Sequence, residues 1–152
     1  MVRNAGREDC RQVYHLICEM EEKTLSYEPF AAIYQKQLAS GAHAFLLEEQ
    51  KGSVVGVLHL RFEEQLHHAA AVAEIMELAV DSAHRGKGLG KVLFAHGCQR
   101  AREAGCVQLE VACNQLRTGA HRFYQREGMR KFHFKFSKLL VGEDTGENRL
   151  GR

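Results

Sequence analysis

The chain has 152 residues, 45% of them apolar, enough to fill one core in a domain of ordinary size. Lys and Arg exceed Asp and Glu by only 21 − 19 = 2, which argues against nucleic acid as a partner. No apolar run reaches the ~18 residues of a membrane span, the start lacks an apolar leader core, and the cysteines (Cys10, Cys18, Cys98, Cys106, Cys113) form no C-x-x-C pair; a cytoplasmic protein with reduced thiols and no membrane or structural-zinc partner is expected.

In chain order, Arg3 to Gly6 can form a short first strand. Asp9 with Gln12 reads as a capping box, followed by Val13, Leu16, Ile17 and Met20 at helical spacing to about Glu22. A second helix begins near Pro29, carries Phe30, Ile33, Tyr34 and Leu38 on one side, and stops at Gly41. His43 to Glu49 and Val54 to Phe62 flank Gln50-Lys51-Gly52-Ser53, a hairpin signal. Within its second strand Val57, His59 and Arg61 share one face, and Leu58, Leu60 and Phe62 the other.

Glu63 to Ala71 reads as a loop, and Glu74 to Asp81 as a strand in which Ile75, Glu77 and Ala79 alternate with Met76, Leu78 and Val80. A helix then runs to Ala104 with Val92, Leu93, Gly97 and Ala101 inward and Gly105 closing it. Val107, Leu109 and Val111 predict a strand, Thr118 to Gly128 a short helix, and Phe132, Phe134 and Phe136 a last strand. Residues 1-140 are expected to form a single domain and 141-152 a disordered tail. This order of elements fits an α/β (α+β) domain, a mixed sheet with helices on both faces.

Between the Glu74 strand and the next helix lies Arg85-Gly86-Lys87-Gly88-Leu89-Gly90. Glycines there allow close backbone approach, and the helix start offers unpaired N–H donors and a positive dipole end, so a pyrophosphate is a natural guest. The spacing is neither G-x-G-x-x-G nor G-x-x-x-x-G-K-[ST].

This loop resembles the R/Q-x-x-G-x-G/A signature of the GNAT N-acetyltransferase superfamily. Glu74-Ile75-Met76-Glu77-Leu78-Ala79-Val80 resembles its fourth strand, and Ala120-His121-Arg122-Phe123-Tyr124 with Gly128 its final motif. A narrower likeness, to the aminoalkylphosphonate N-acetyltransferases, is carried by Val13 to Glu19, Leu66-His67-His68, Arg126-Glu127-Gly128 and His133 to Phe136. The resemblance implies a mostly antiparallel sheet, acetyl-CoA as co-substrate and a small-molecule primary amine as acceptor, one bearing a phosphonate in the narrower case.

On that resemblance Arg85, Gly86, Lys87, Gly88, Leu89 and Gly90 hold the CoA pyrophosphate. The backbone of Leu78, Ala79 and Val80 pairs with the pantetheine and supplies an oxyanion donor. Tyr124 faces the CoA sulfur as general acid. Many members carry an Asn seven residues before that tyrosine; here the position is Arg117, and Asn114 is the substitute candidate.

Glu77 is the candidate base, acting through a water, because an ammonium of pKa ~10 must lose a proton before it can attack. Glu74 is the second candidate, on the opposite face if the strand is regular, a distinction that a bulge would blur. His59, His67 and His68 fall where the acceptor would bind, and Arg61 could grip a phosphonate bidentately. No H-E-x-x-H motif points to a protein-held metal; a divalent metal bridging phosphonate and histidines is left open by the resemblance, as is a homodimer. The rival readings are a GNAT acting on protein or aminoglycoside amines and a non-catalytic CoA-binding domain.

Overall fold

The computed structural model describes residues 1–142, and the chain divides into two units, Met1–Glu110 and Val111–Arg152. The elements run β1 (Val2–Asn4), α1 (Cys10–Glu21), α2 (Tyr27–Leu38), β2 (His43–Gln50), β3 (Ser53–Gln65), β4 (Ala70–Val80), α3 (Leu89–Glu103), β5 (Gln108–Val111) and, in the second unit, α4 (Thr118–Arg126). The strands form one sheet in the order β1-β2-β3-β4-β5, and β1 to β4 pair antiparallel throughout.

The β2–β3 turn follows from its residues: Lys51 and Gly52 both take positive φ (50° and 79°), as a two-residue type I′ hairpin requires. The stretch expected to be a loop between Glu63 and Ala71 is instead the far end of a second hairpin. β3 continues to Gln65, β4 begins at Ala70, and the turn between them is closed by His68 N–H to Gln65 O (3.2 Å) and Ala69 N–H to Leu66 O (3.1 Å). Alternation and glycine, the usual signals, are both missing there, because the arms of this hairpin are Ala-rich or charged on both faces.

Each sheet face buries a different helix layer. Leu47, Val57 and Ala79 pack with Val13, Leu16 and Ile17 of α1 and Tyr34 of α2. On the reverse, α3 brings Leu93 and Gly97 against Gly56 and Leu58; a Cβ at Gly97 would overlap Leu58 Cδ2, so the missing side chain sets how closely this helix lies. Leu58, Leu60 and Leu93 are fully buried, each worth about 1.5–3 kcal/mol relative to exposure.

Four expectations need correction. Asp9 does not cap α1 with its side chain; its carboxylate accepts from Gly6 N–H (2.7 Å) and pairs with the Arg3 guanidinium (2.8 Å to each oxygen), while Gln12 Oε1 accepts from Val54 N–H. Arg3 is close enough to outcompete the helix end for that charge. Val92 is exposed and Phe94 buried, since the α3 face turned to the sheet is centred on Leu93 and Gly97. Val107 precedes β5 and is exposed.

The segment with Phe132, Phe134 and Phe136 is not a strand, and the three rings are exposed (71%, 75% and 92%). Period-two alternation creates a strand only where a partner edge takes up its N–H and C=O groups, and α4 is the one regular element among the described residues that lie wholly in that unit. Of the expected tail, 143–152 lie outside the described residues.

Candidate active site

Two β-bulges decide which side chains meet. In the β2–β3 pair the register shifts between Glu48 and Glu49, so that His43 lies opposite Arg61 and Phe45 opposite His59. In the β3–β4 pair the shift falls beside His59: Glu77 stands opposite His59, Ile75 opposite Leu60, and Met76 is the extra residue. Residues directly opposite share a face, and residues two apart along a strand do so as well. His43, His59, Arg61, Glu74 and Glu77 therefore lie on one face, an extension of the surface that α1 and α2 cover further along. Glu74 and Glu77 are on the same side, the outcome that the bulge alone permits.

The contacts on this face are specific. Arg61 Nη2 donates to Glu74 Oε2 at 2.7 Å, and Glu63 lies 4.0 Å from the same nitrogen. Arg61 Nε is buried and has no hydrogen-bond partner among the described residues. His59 is only 4% exposed; its ring lies flat on Phe45 (centroids 4.0 Å apart, planes at 7°), and its Nε2 is 2.9 Å from His43 Nδ1. Burial, and after it the charge of Arg61, hold the His43 imidazole below the usual histidine range, so it is neutral at neutral pH.

His67 and His68 are not part of this cluster. They sit exposed in the β3–β4 turn, with His68 Nδ1 2.7 Å from Gln65 Oε1, roughly 20 Å along the strand from His59 at ~3.3 Å per residue. Among the described residues no three His, Cys, Asp or Glu side chains gather as metal ligands.

Beyond Glu77, β4 leads through Leu78, Ala79 and Val80 into the glycine loop. Asp81 caps the Ser82–His84 turn by accepting from Ala83 N–H (2.9 Å) and lies 2.8 Å from His84 Nδ1; this hydrogen bond holds the Asp81 carboxyl below its usual range. Arg85 Nε donates to Val80 O, tying the loop to the strand end. Gly86 and Gly88 both need glycine, having φ of 75° and 79°, and nothing lies within 4 Å of where a Cβ would stand. Leu89 and Gly90 open α3, whose first N–H groups have no intrahelical acceptor. On the α1 side of this strand end is a groove of about 320 Å³ lined by Gln12, His15, Leu16, Glu19, Val54 and Asp81.

In the second unit Tyr124 is half-buried in α4, with its ring edge-on to Phe123 (centroids 5.2 Å apart). Asn114 Oδ1 accepts from Leu116 N–H, and its carbonyl meets His121 Nε2 at 2.8 Å, so Asn114 shapes the approach to α4.

This loop and strand bear directly on the comparisons with known proteins. Residues 10–129 match the acetyltransferase (GNAT) family. The chain belongs to that family. It is an N-acetyltransferase, and acetyl-CoA is the co-substrate that GNAT enzymes use. Over 139 residues it is 39% identical to the aminoalkylphosphonate N-acetyltransferase of Salmonella typhimurium, covering 91% of this chain and 90% of that protein. Two solved structures share the GNAT fold. A Bacillus halodurans C-125 protein described as a transcriptional regulator has a TM-score of 0.84 at 21% identity, covering 92% of this chain and 99% of its own. Glucosamine-6-phosphate N-acetyltransferase from Arabidopsis thaliana has a TM-score of 0.78 at 21% identity, covering 93% and 98%.

Two further residues join these contacts with no clear signal in the sequence. Reflection of β3 across the Lys51-Gly52 turn, without the bulge, would set His43 beside Leu60 and not beside Arg61. Glu19 of α1 reaches Ser82 N–H with both carboxylate oxygens (3.3 Å each), securing the loop from the helix side. No spacing in the chain announces that contact.

Proposed function

We propose that this GNAT enzyme moves the acetyl group of acetyl-CoA directly to the amine of an aminoalkylphosphonate, in the cytoplasm. The observation that carries the reading is Arg61 on the same open sheet face as Glu77. An aminoalkylphosphonate holds an ammonium a few atoms from an oxyanion, so its site needs a fixed cation beside a carboxylate. Arg61 offers a planar fork of donors suited to a phosphonate. Identity of 39% to a curated aminoalkylphosphonate N-acetyltransferase supports the same acceptor class.

In this mechanism Glu77, through a water, accepts a proton from the ammonium and frees the lone pair for attack. Glu74 is the weaker candidate, because Arg61 already engages its carboxylate. A backbone N–H between Leu78 and Val80 donates to the oxyanion of the tetrahedral intermediate. Tyr124 protonates the departing thiolate, a task suited to a phenol hydroxyl, which is a donor. The amides and cations from Arg85 to Gly90 hold the diphosphate at the start of α3, with Asn114 assisting. The family match covers residues 10–129, and we take 1–140 as one catalytic domain.

The test is release of free CoA across aminoalkylphosphonates, polyamines, aminoglycosides and peptide amines. The expected result is the highest kcat/KM for an aminoalkylphosphonate, with the corresponding alkylamine lacking the phosphonate far poorer. Equal turnover of that alkylamine, or preference for an aminoglycoside or a peptide, would overturn the acceptor assignment. Calorimetry with acetyl-CoA tests the donor separately.

A further inference from the structure

Acetyl transfer to an ammonium leaves one proton to be disposed of. R–NH3⁺ and CH3CO–SCoA become R–NH–COCH3 and HS–CoA as the C–N bond forms and the C–S bond breaks. Of the three ammonium protons, one stays on the amide, one ends on sulfur, and one must leave the enzyme in every turnover. In the proposed mechanism Glu77 is a relay for that proton and not its destination, since the base must be returned to its carboxylate form in every turnover.

From the cluster of His43 and His59 we infer that this pair of imidazoles is the group that takes the departing proton and passes it to solvent. The inference rests on the acetyl-transfer reading above. Its geometry comes from the sheet. His59 is the cross-strand partner of Glu77, is 4% exposed, and is fixed in orientation by the flat stack on Phe45, which Tyr34 holds edge-on from α2 (centroids 5.1 Å). His43, a position nearer the strand end, is half-buried and reaches water. The two facing ring nitrogens, His59 Nε2 and His43 Nδ1, are 2.9 Å apart.

Two imidazole nitrogens at that separation share one hydrogen, because two N–H groups cannot point at each other. The pair can therefore hold only one extra proton between the two rings. A proton arriving at the buried ring on the Glu77 side is matched by release of another from the exposed ring. The charged groups facing the pair are Arg61 and Glu63 from β3 and Glu74 and Glu77 from β4; on the α2 side the Tyr34 hydroxyl lies beyond Phe45 and is committed to Gly6 O at 2.7 Å. Burial and Arg61 both disfavour the cation at His43, so the outer ring gives up a proton readily once loaded.

The experiment compares wild type, His43→Ala and His43→Gln in steady-state acetylation across pH 5 to 9. The expected result for His43→Ala is a kcat lower by about 10²-fold, an unchanged KM for acetyl-CoA, loss of an inflection lying below the usual histidine range, and partial rescue by added imidazole. His43→Gln keeps a hydrogen bond to His59 but carries no proton, and should be as slow as the alanine variant. Activity of His43→Gln close to wild type, or a pH profile unmoved in both variants, overturns the relay and leaves a packing role. Nitrogen-detected NMR titration needs no turnover: uptake of one proton by the two rings together supports the pair, and two independent cations overturn it. A wild type that acetylates no amine would sink the proposed function instead, and the NMR result would still decide the pair.

Discussion

The two faces of the central sheet are built from the same three strands and do opposite work. Under α3 the face is uniformly apolar: Leu58, Leu60, Ala73 and Ile75 are buried beside Leu93, and Gly97 lets the helix settle directly on them. Under α1 and α2 the face begins the same way, with Leu47, Val57 and Ala79, and then turns polar at His43, His59, Arg61, Glu74 and Glu77. Unpaired charge is costly inside a core, so the polar half can exist only where helix cover stops or where each charge has a partner. Arg61 with Glu74, and His59 with His43, meet the second condition. Apolar packing and the polar cluster are thus separated across a single layer of backbone.

That separation can be broken from either side. The largest expected effect is on the polar side: Glu77→Gln should lower kcat/KM by about 10²–10⁴-fold while leaving the thermal midpoint and acetyl-CoA affinity near wild type. A fall in stability of the same size as Leu58→Ala produces would show that Glu77 is structural. Leu58→Ala, on the apolar side, should destabilise by about 2–5 kcal/mol in urea unfolding, with the pH profile of the folded fraction unchanged. An altered profile would mean that the two faces are not independent.

Asp9 tests the edge of the helix-covered side near β1. The Arg3 guanidinium hydrogen-bonded to it, and the Gly6 N–H, hold its carboxyl below the ordinary carboxylate range. A folded-state value below the unfolded one contributes stability that is present above about pH 4 and lost as pH falls through the folded value. Asp9→Asn should therefore cost about 1.5–3 kcal/mol at pH 7, and the gap from wild type should close in acid; a gap independent of pH would refute the ion-pair account. The smallest effect is expected of Glu74→Gln, less than about tenfold in kcat, seen chiefly in the KM for a phosphonate acceptor because Arg61 loses its counter-charge. A loss equal to that of Glu77→Gln would exchange the roles of the two carboxylates.

Much of this arrangement was legible in the chain. The hairpin at Lys51-Gly52, the glycine loop and the amphipathic α1 follow from residue types with few conformational choices, and the motif order was enough to place the chain among GNAT enzymes. The composition of the polar face was less legible, because it depends on two bulges. Extending the β3–β4 hairpin without one sets Glu77 opposite Leu58 and buries it under α3; the Lys51-Gly52 hairpin without its own sets His43 opposite Leu60. A bulge is a one-residue adjustment driven by packing on both faces at once, and no local pattern near Met76 or Val55 declares it. The Phe132 to Phe136 alternation misled for a related reason: periodicity describes what a strand would bury and says nothing of whether an edge is there to receive it.

The extra residue at Met76 has a bearing on how this strand can vary in length. With one residue more than its neighbour needs, β4 can lose Met76 and keep every pair from Ala70 to Val80 facing as it does now. A deletion of Leu60 from β3 has no such reserve, since it would turn Arg61 and everything after it upside down relative to His59. Natural shortening should therefore be tolerated on one side of this hairpin and ruinous on the other.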